Sequence, residues 1–244
     1  MIDYPSEEEV EQQIQLIVNY ALPHPKSFTR GLRDMHQQLG LAYIFRDYVD
    51  LALIGMLFIG YLISFNHFLH LHAERFGTGI YIYLFITAPL LYGSISILSL
   101  MTKQATYEQE MVCKYNVYQV SAYRMLVFSF VSMVANSIQI LITALAWQEF
   151  NPVKGIMISL TSLMLFALGF LYFTIKRQSY LNQRFLIVAW IIFNIGMALI
   201  GGIFYETLLL NVPYVVYGGV LLVTGWLYLK NLKIMFLNLG LKTE

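Results

Sequence analysis

Long apolar runs, separated by stretches where charge and proline collect, decide what this chain can fold into. A helix needs about 20 apolar residues to cross the hydrocarbon of a bilayer, and a charged side chain is costly there. Six such runs can be marked out: 51–71, 79–101, 125–147, 155–175, 185–203 and 208–229, the last interrupted by Asn211 and Pro213. With 58% hydrophobic and 12% charged residues, the composition is not that of a soluble domain. The expected fold is all-α, a polytopic membrane protein of about six transmembrane helices over 51–229. Amphipathic interfacial helices in 1–50 precede the bundle, and a cytoplasmic tail, 230–244, follows it.

Lysine and arginine are retained on the cytoplasmic side of a membrane. With the N-terminus inside, thirteen of the fifteen basic residues fall in inner segments, and only Arg75 and Lys154 fall in outer loops. Both termini are therefore expected in the cytoplasm, with the chain in the cell membrane. The net charge of +1 reflects cancellation, because the first fifty residues set eight carboxylates against four basic side chains. No nucleic-acid footprint is visible. A single cysteine, Cys113, excludes a disulfide framework and a cysteine-based metal site. The acidic start of the chain does not read as a cleavable signal peptide, so the first span is expected to direct insertion.

Before the first span, Ser6 and Glu9 read as a capping box, and Val10, Ile14, Ile17 and Ala21 recur at helical spacing, predicting an amphipathic helix over 6–20. Pro23 and Pro25 end it. Ser27 is placed to cap a second helix, in which Phe28, Leu32, Met35 and Leu39 share one side and Arg30, Arg33, Asp34 and Gln37 lie elsewhere. Gly40 breaks that helix, and Arg46, Asp47 and Asp50 stand at the inner mouth of the first span. The pattern suits an elbow lying along the membrane, with Arg30, Arg33, Asp34 and Arg46 as its polar residues.

The connection 102–124 is the longest expected inner loop after the N-terminal segment. It carries Glu108, Glu110, Lys114, Tyr115, Gln119 and Arg124. Met111, Tyr115 and Tyr118 share a helical face, and Asn116 allows a break, giving a short helix, a turn and a second helix that feeds the third span.

In the third span, Ser129, Ser132, Asn136, Gln139 and Thr143 follow one another at steps of three and four, forming one stripe. Polar stripes within a membrane face protein or water. Two readings stay open for it: the lining of a substrate path, or hydrogen bonding that holds the bundle or a dimer together. His67, His70, His72 and Glu74 cluster after the first span and read as a polar boundary rather than a metal site, although an i, i+3 histidine pair can share a metal. Pro89 and Gly93, with Gly196, Gly201, Gly202, Gly218, Gly219 and Gly225, are candidates for kinks or close helix contacts. Glu206 reads as an exposed loop residue, with a discontinuous end to the fifth span as the other reading.

The sequence holds no nucleotide phosphate loop, no zinc-binding His-Glu-x-x-His, no Gly-x-Ser-x-Gly and no paired intramembrane carboxylates, so enzyme chemistry is not expected. Charge is also missing from the depth of the six runs, which disfavours a proton relay.

An interfacial elbow, two spans, a long inner loop with paired glutamates, and four further spans with an irregularity before the last together resemble the permeases of type-2 ATP-binding-cassette exporters. In that family the loop between the second and third spans is a coupling helix seated in a groove of a separate ATPase. Glu108 or Glu110, Asn116 and Arg124 match its opening glutamate, its mid-loop break and its basic exit; the loop lacks the glycine-threonine and proline residues often found there. The resemblance implies a half-transporter, pairing with itself or a related permease, that couples a partner's ATP hydrolysis to outward movement of a lipid-like, peptide or drug-like substrate. It implies no cofactor on this chain, with ATP and magnesium bound by the partner. The competing expectation is a regulatory or scaffold membrane protein that binds a cytoplasmic partner through its N-terminal helix.

Overall fold

The computed structural model describes residues 27–44, 58–64, 79–102, 117–146, 150–176 and 180–237, with isolated helical residues at 11, 13, 52, 55 and 56. Two compact units divide the chain, Met1–Tyr43 and Ile44–Glu244. Among the described residues all regular structure is helical.

In the first unit, α1 (Phe28–Ile44) starts where Ser27 was expected to cap it, and the Ser27 carbonyl accepts the Gly31 N–H at 2.8 Å. Met35 is buried and Leu32 half-buried, while Arg30, Arg33 and Gln37 are exposed and Asp34 is half-buried. At Gly40 the backbone leaves helical geometry with φ 66 and ψ 173, a conformation open to glycine at little cost. The helix expected over 6–20 and Arg46 fall outside the described residues.

The second unit holds α2 (Ile80–Thr102), α3 (Val117–Ala146), α4 (Pro152–Lys176), α5 (Tyr180–Asn211) and α6 (Tyr214–Leu237), and residues 58–64 are also helical. These five helices are long and apolar enough to cross a bilayer, over Ile80–Ile97, Gln119–Leu145, Pro152–Lys176, Arg184–Gly202 and Tyr214–Leu237, and they mark the chain as a membrane protein. Of the expected first span, 51–71, residues 52, 55, 56 and 58–64 are described and are helical; the others lie outside the described residues. Boundaries shift elsewhere. The third helix begins at Val117, so the helix feeding the third span is continuous with it. The break expected over 204–207 lies earlier, at Gly201, where the backbone leaves helical geometry; helix then resumes to Asn211, and the chain turns at Val212 and Pro213. Proline lacks the N–H that would continue α5, and its carbonyl starts α6 by accepting the Val216 N–H at 3.0 Å. From Tyr214 onward α6 is regular, so the irregularity expected within 208–229 belongs to the turn before it.

Helices α2 and α4 pack side by side at the centre, with α3, α5 and α6 around them. The surrounding helices turn apolar side chains outward, such as Phe130 and Leu145 on α3, Leu199 and Ile200 on α5, and Val215 and Leu222 on α6. Ile200 is 91% exposed. In water such faces would be a liability, but in lipid they meet their own kind. Inside, an aromatic string runs from Tyr205 through Phe85, Trp190 and Phe166 to Tyr92 and Phe170, with ring centroids 5.6–6.4 Å apart. Gly93 makes room for it, since a Cβ there would lie 3.0 Å from Ile187 Cδ1 and 3.1 Å from Phe166 Cε1. Gly196, Gly202, Gly218, Gly219 and Gly225 have no such neighbour. Gly201 instead marks a bend in α5, with φ −144 and ψ 44.

Pro89 sits inside α2 without ending it. Its missing N–H leaves the carbonyl four residues earlier, on Phe85, without its helical donor. Ser162 Oγ of α4 donates to that carbonyl. Trp190 Nε1 of α5 donates to the Ile86 carbonyl at 3.2 Å, and Asn136 Nδ2 of α3 to the Ala88 carbonyl at 3.1 Å. Ser162→Ala is therefore expected to destabilise the bundle by about 1 kcal/mol. Adding Pro89→Ala, which restores an N–H to the Phe85 carbonyl, should recover most of that loss. Thermal unfolding of the two single variants and the double variant in detergent checks this, and additive effects would refute it.

Candidate functional site

All five polar residues of the α3 stripe are buried: Ser129, Ser132, Asn136, Gln139 and Thr143. At 1.5 Å per residue they span about 21 Å of the bundle's length. Two of the hydroxyls bond back to their own helix, Ser129 Oγ donating to the Leu126 carbonyl and Thr143 Oγ1 to the Gln139 carbonyl. Asn136 bonds outward at both ends of its amide. Besides donating to Ala88, it accepts at Oδ1 from the Tyr61 hydroxyl at 2.9 Å.

Other helices extend this stripe into a column. Because α2 and α3 run in opposite directions, the Asn136 to Ala88 bond fixes their register: one turn along each helix brings Tyr92 level with Ser132. A further turn brings Ser96 level with Ser129. From α6, Tyr228 reaches α3, its hydroxyl donating to the Met125 carbonyl at 3.1 Å. Among the described residues Ser132 Oγ, Gln139 Oε1 and Ser159 Oγ are buried without a hydrogen-bond partner, whereas the Tyr92 hydroxyl has Ser96 and Tyr228 as hydrogen-bonding neighbours. Sequence reasoning missed Tyr92, Ser96, Ser159 and Tyr228, since single hydroxyls in apolar spans look like ordinary core.

A second polar assembly closes the end of the bundle at which α2, α4 and α6 begin. Asn151 caps α4, its Oδ1 accepting the Lys154 N–H at 3.2 Å, and its Nδ2 donates to the Tyr214 hydroxyl at 3.2 Å. Lys154, expected as an outer-loop charge, lies in the first turn of α4 and is only 7% exposed. Its ammonium donates to the Leu210 and Val212 carbonyls, both at 2.7 Å, and lies 4.8 Å from the Tyr214 ring centroid. The last carbonyls of a helix have no helical donors, and here a cation supplies them. Tyr217 OH takes the Leu209 carbonyl at 2.8 Å.

Glu206, expected in an exposed loop, is helical and 6% exposed. Its Oε1 accepts the Gly79 N–H at 2.9 Å, which sets a carboxylate at the start of α2 where the helix dipole favours it. Burial raises its pKa above the ordinary carboxylate value, with the Gly79 bond opposing that shift. Nearby, Tyr205 OH donates to Asn194 Oδ1 at 2.6 Å, bridging the bend at Gly201.

Of the residues expected to meet a partner, Gln119 and Arg124 are half-buried on α3, and Gln119 Nε2 reaches the Phe236 carbonyl at 3.4 Å. Glu108, Glu110, Lys114 and Tyr115 lie outside the described residues, as do Cys113, His67, His70, His72 and Glu74. Among the described residues no group of three metal-ligating side chains comes together. No protein-family model, curated protein sequence or solved structure matches the chain.

Two outcomes follow from the braced end. Lys154→Ala should cost roughly 2 kcal/mol, because it strips donors from two buried carbonyls, whereas Lys154→Arg should retain part of the stability. Unfolding temperatures of both variants check the order. For Glu206 the raised folded pKa means the folded state binds the proton more tightly than the unfolded state. Its contribution is thus most favourable below the ordinary carboxylate pKa and declines as pH rises through the folded value. Glu206→Gln should remove that decline, so the wild-type minus variant difference in unfolding temperature should fall with pH across this window. A pH-independent difference would contradict the assignment.

Proposed function

We propose that the chain is the membrane-spanning subunit of an ATP-binding-cassette exporter, moving a lipid-like, peptide or drug-like molecule outward with energy from a separate ATPase. The observation that supports this reading is the column: polar groups about 21 Å long inside an otherwise apolar bundle, several without partners. A fold needing only cohesion gains little from unpartnered polar atoms in lipid, whereas a path for a partly polar molecule requires them. Among the described residues the column carries no acidic or basic side chain, so proton coupling has no relay within it and the energy is assigned to a partner.

In this reading the segment 51–71 supplies a sixth span, both termini lie in the cytoplasm of a cell-membrane protein, and the chain pairs with a second copy or a related permease. The connection 102–124 docks on the ATPase through Glu108 and Glu110. The amphipathic α1, with its break at Gly40, fits an elbow at the interface.

Purification from native membranes in mild detergent should bring down a stoichiometric ATP-binding-cassette ATPase, identified by mass spectrometry. Reversing charge at Glu108 and Glu110 should weaken that association at least about tenfold, consistent with losing desolvated charge pairs. If the reversed variant binds its partner as wild type does, the docking assignment is wrong. If a soluble regulatory protein copurifies instead, and is lost on deleting residues 1–26, the scaffold reading replaces this one.

A further inference from the structure

Exposed charge on the bundle is of one sign and collects at one end. Among the described residues of α2 to α6 the only acidic side chain is Glu206, buried at the end where α4 and α6 begin. Lys154 at that same end is buried and committed to carbonyls. The exposed basic residues, Lys176 on α4, Arg184 on α5 and Lys230 and Lys233 on α6, all stand at the opposite end. Lys230 and Lys233 thus have no carboxylate within these helices to answer them.

Along α6 the two lysines complete a graded face. Val215, Gly219, Leu222, Trp226, Lys230 and Lys233 follow one another at steps of three and four, so they share one side of the helix, and all are exposed. The Lys230 ammonium lies 5.2 Å from the centroid of the Trp226 ring, a cation–π contact between consecutive turns. Lys230 and Lys233 stand 16 and 19 residues beyond Tyr214, roughly 24 to 29 Å along the helix, where a hydrocarbon core of about 30 Å gives way to headgroups. From the bilayer interior outward the face runs from aliphatic side chains through an indole to two ammonium groups. A phospholipid has the matching order of tail, ester and phosphate.

We propose that this face of α6 binds one anionic phospholipid, with the headgroup phosphate at Lys230 and Lys233, the ester region on Trp226 and an acyl chain along Leu222, Gly219 and Val215. A zwitterionic headgroup fits less well, because its own cation opposes the lysines. A second copy packed symmetrically through this face sets both lysines against their own counterparts. A water-soluble acidic partner leaves the apolar part of the face uncovered, whereas that part is continuous with the lipid-facing surface of the bundle. The proposal does not rest on the exporter reading, since it concerns a lipid-facing surface and not the column.

Native mass spectrometry of the full chain, delipidated in mild detergent and offered phosphatidylglycerol and phosphatidylcholine with matched chains, tests it. Each lysine beside an anionic headgroup contributes about fivefold, so one phosphatidylglycerol should bind at least about tenfold more tightly than phosphatidylcholine. Changing Lys230→Ala and Lys233→Ala together should abolish most of that preference, and Lys230→Arg with Lys233→Arg should keep it. Lys176→Ala, on α4, should leave it unchanged; an equal loss there would mean diffuse attraction to the whole basic end and overturns the site. A second readout is quenching of tryptophan fluorescence in nanodiscs by lipids with brominated chains. Brominated phosphatidylglycerol should quench more than brominated phosphatidylcholine at equal content, and Trp226→Phe should remove the excess. An excess that survives in Trp226→Phe overturns the proposal. So does equal binding of the two lipids by the wild-type chain, a comparison that needs no variant to fold, even where the lysines retain an acidic protein instead.

Discussion

The bundle depends on how the broken hydrogen bond at Pro89 is repaired. In water, a proline within a helix leaves a carbonyl that solvent can satisfy. In lipid there is no such donor, and an open carbonyl is a standing cost of several kcal/mol, on the order expected for transfer to hydrocarbon. Ser162 of α4 closes the gap at Phe85. Trp190 of α5 and Asn136 of α3 add second bonds to the carbonyls of Ile86 and Ala88 within the same turn. One turn of α2 therefore receives a donor from three neighbouring helices. A residue that weakens a soluble helix here acts as the junction of a membrane bundle.

Directional bonds matter because lipid supplies no hydrophobic drive between helices. Lipid tails are as apolar as leucine, so association rests on close packing and polar contacts. The outward faces of α3, α5 and α6 accordingly carry little information beyond being apolar, and cohesion is concentrated inside. The rings from Tyr205 to Phe170, mostly edge to face, fill the seam between α2, α4 and α5, and Gly93 lets the helices come close enough for them to interlock. Both buried charges stand apart from this seam and each is answered by backbone: Lys154 by carbonyls at the end of α5, Glu206 by an amide at the start of α2. Neither needs the other as an ion-pair partner.

How much of this was legible in the sequence follows from range. The helices and the α3 stripe rest on local periodicity, and the second span differs from the observed helix by a single residue at each end. Glu206 was misplaced because its partner, the Gly79 amide, is 127 residues away. Lys154 was misread for the same reason: a lysine after an apolar run looks like a loop charge until the carbonyls of Leu210 and Val212 are folded against it. Counting apolar residues also put the α5–α6 division too early. It weighs a glutamate as an interruption and cannot see that a buried carboxylate at a helix N-terminus is tolerated, whereas Pro213 stops a helix by covalent structure alone. The hydroxyls of Tyr92, Ser96 and Tyr228 carried no pattern of their own. They come together only in the folded bundle, where Tyr92 on α2 meets Tyr228 on α6.

The two polar assemblies differ in a way that bears on movement. At the α5–α6 turn nearly every polar group is committed: Asn151, Lys154, Tyr205, Glu206 and Tyr217 each hold a named partner, and the Tyr205 to Asn194 bond spans the bend at Gly201. Moving α5 past α4 there breaks both Lys154 bonds, to the Leu210 and Val212 carbonyls, at once. Along the column, bonds between helices run from Asn136 to Ala88 and Tyr61 and from Tyr228 to Met125, while Ser129 and Thr143 bond within their own helix. The bonds at the braced end tie the start of α2, the α4 N-terminus, the α5–α6 turn and the start of α6 to one another, and the Tyr205 to Asn194 bond holds α5 across its bend at Gly201.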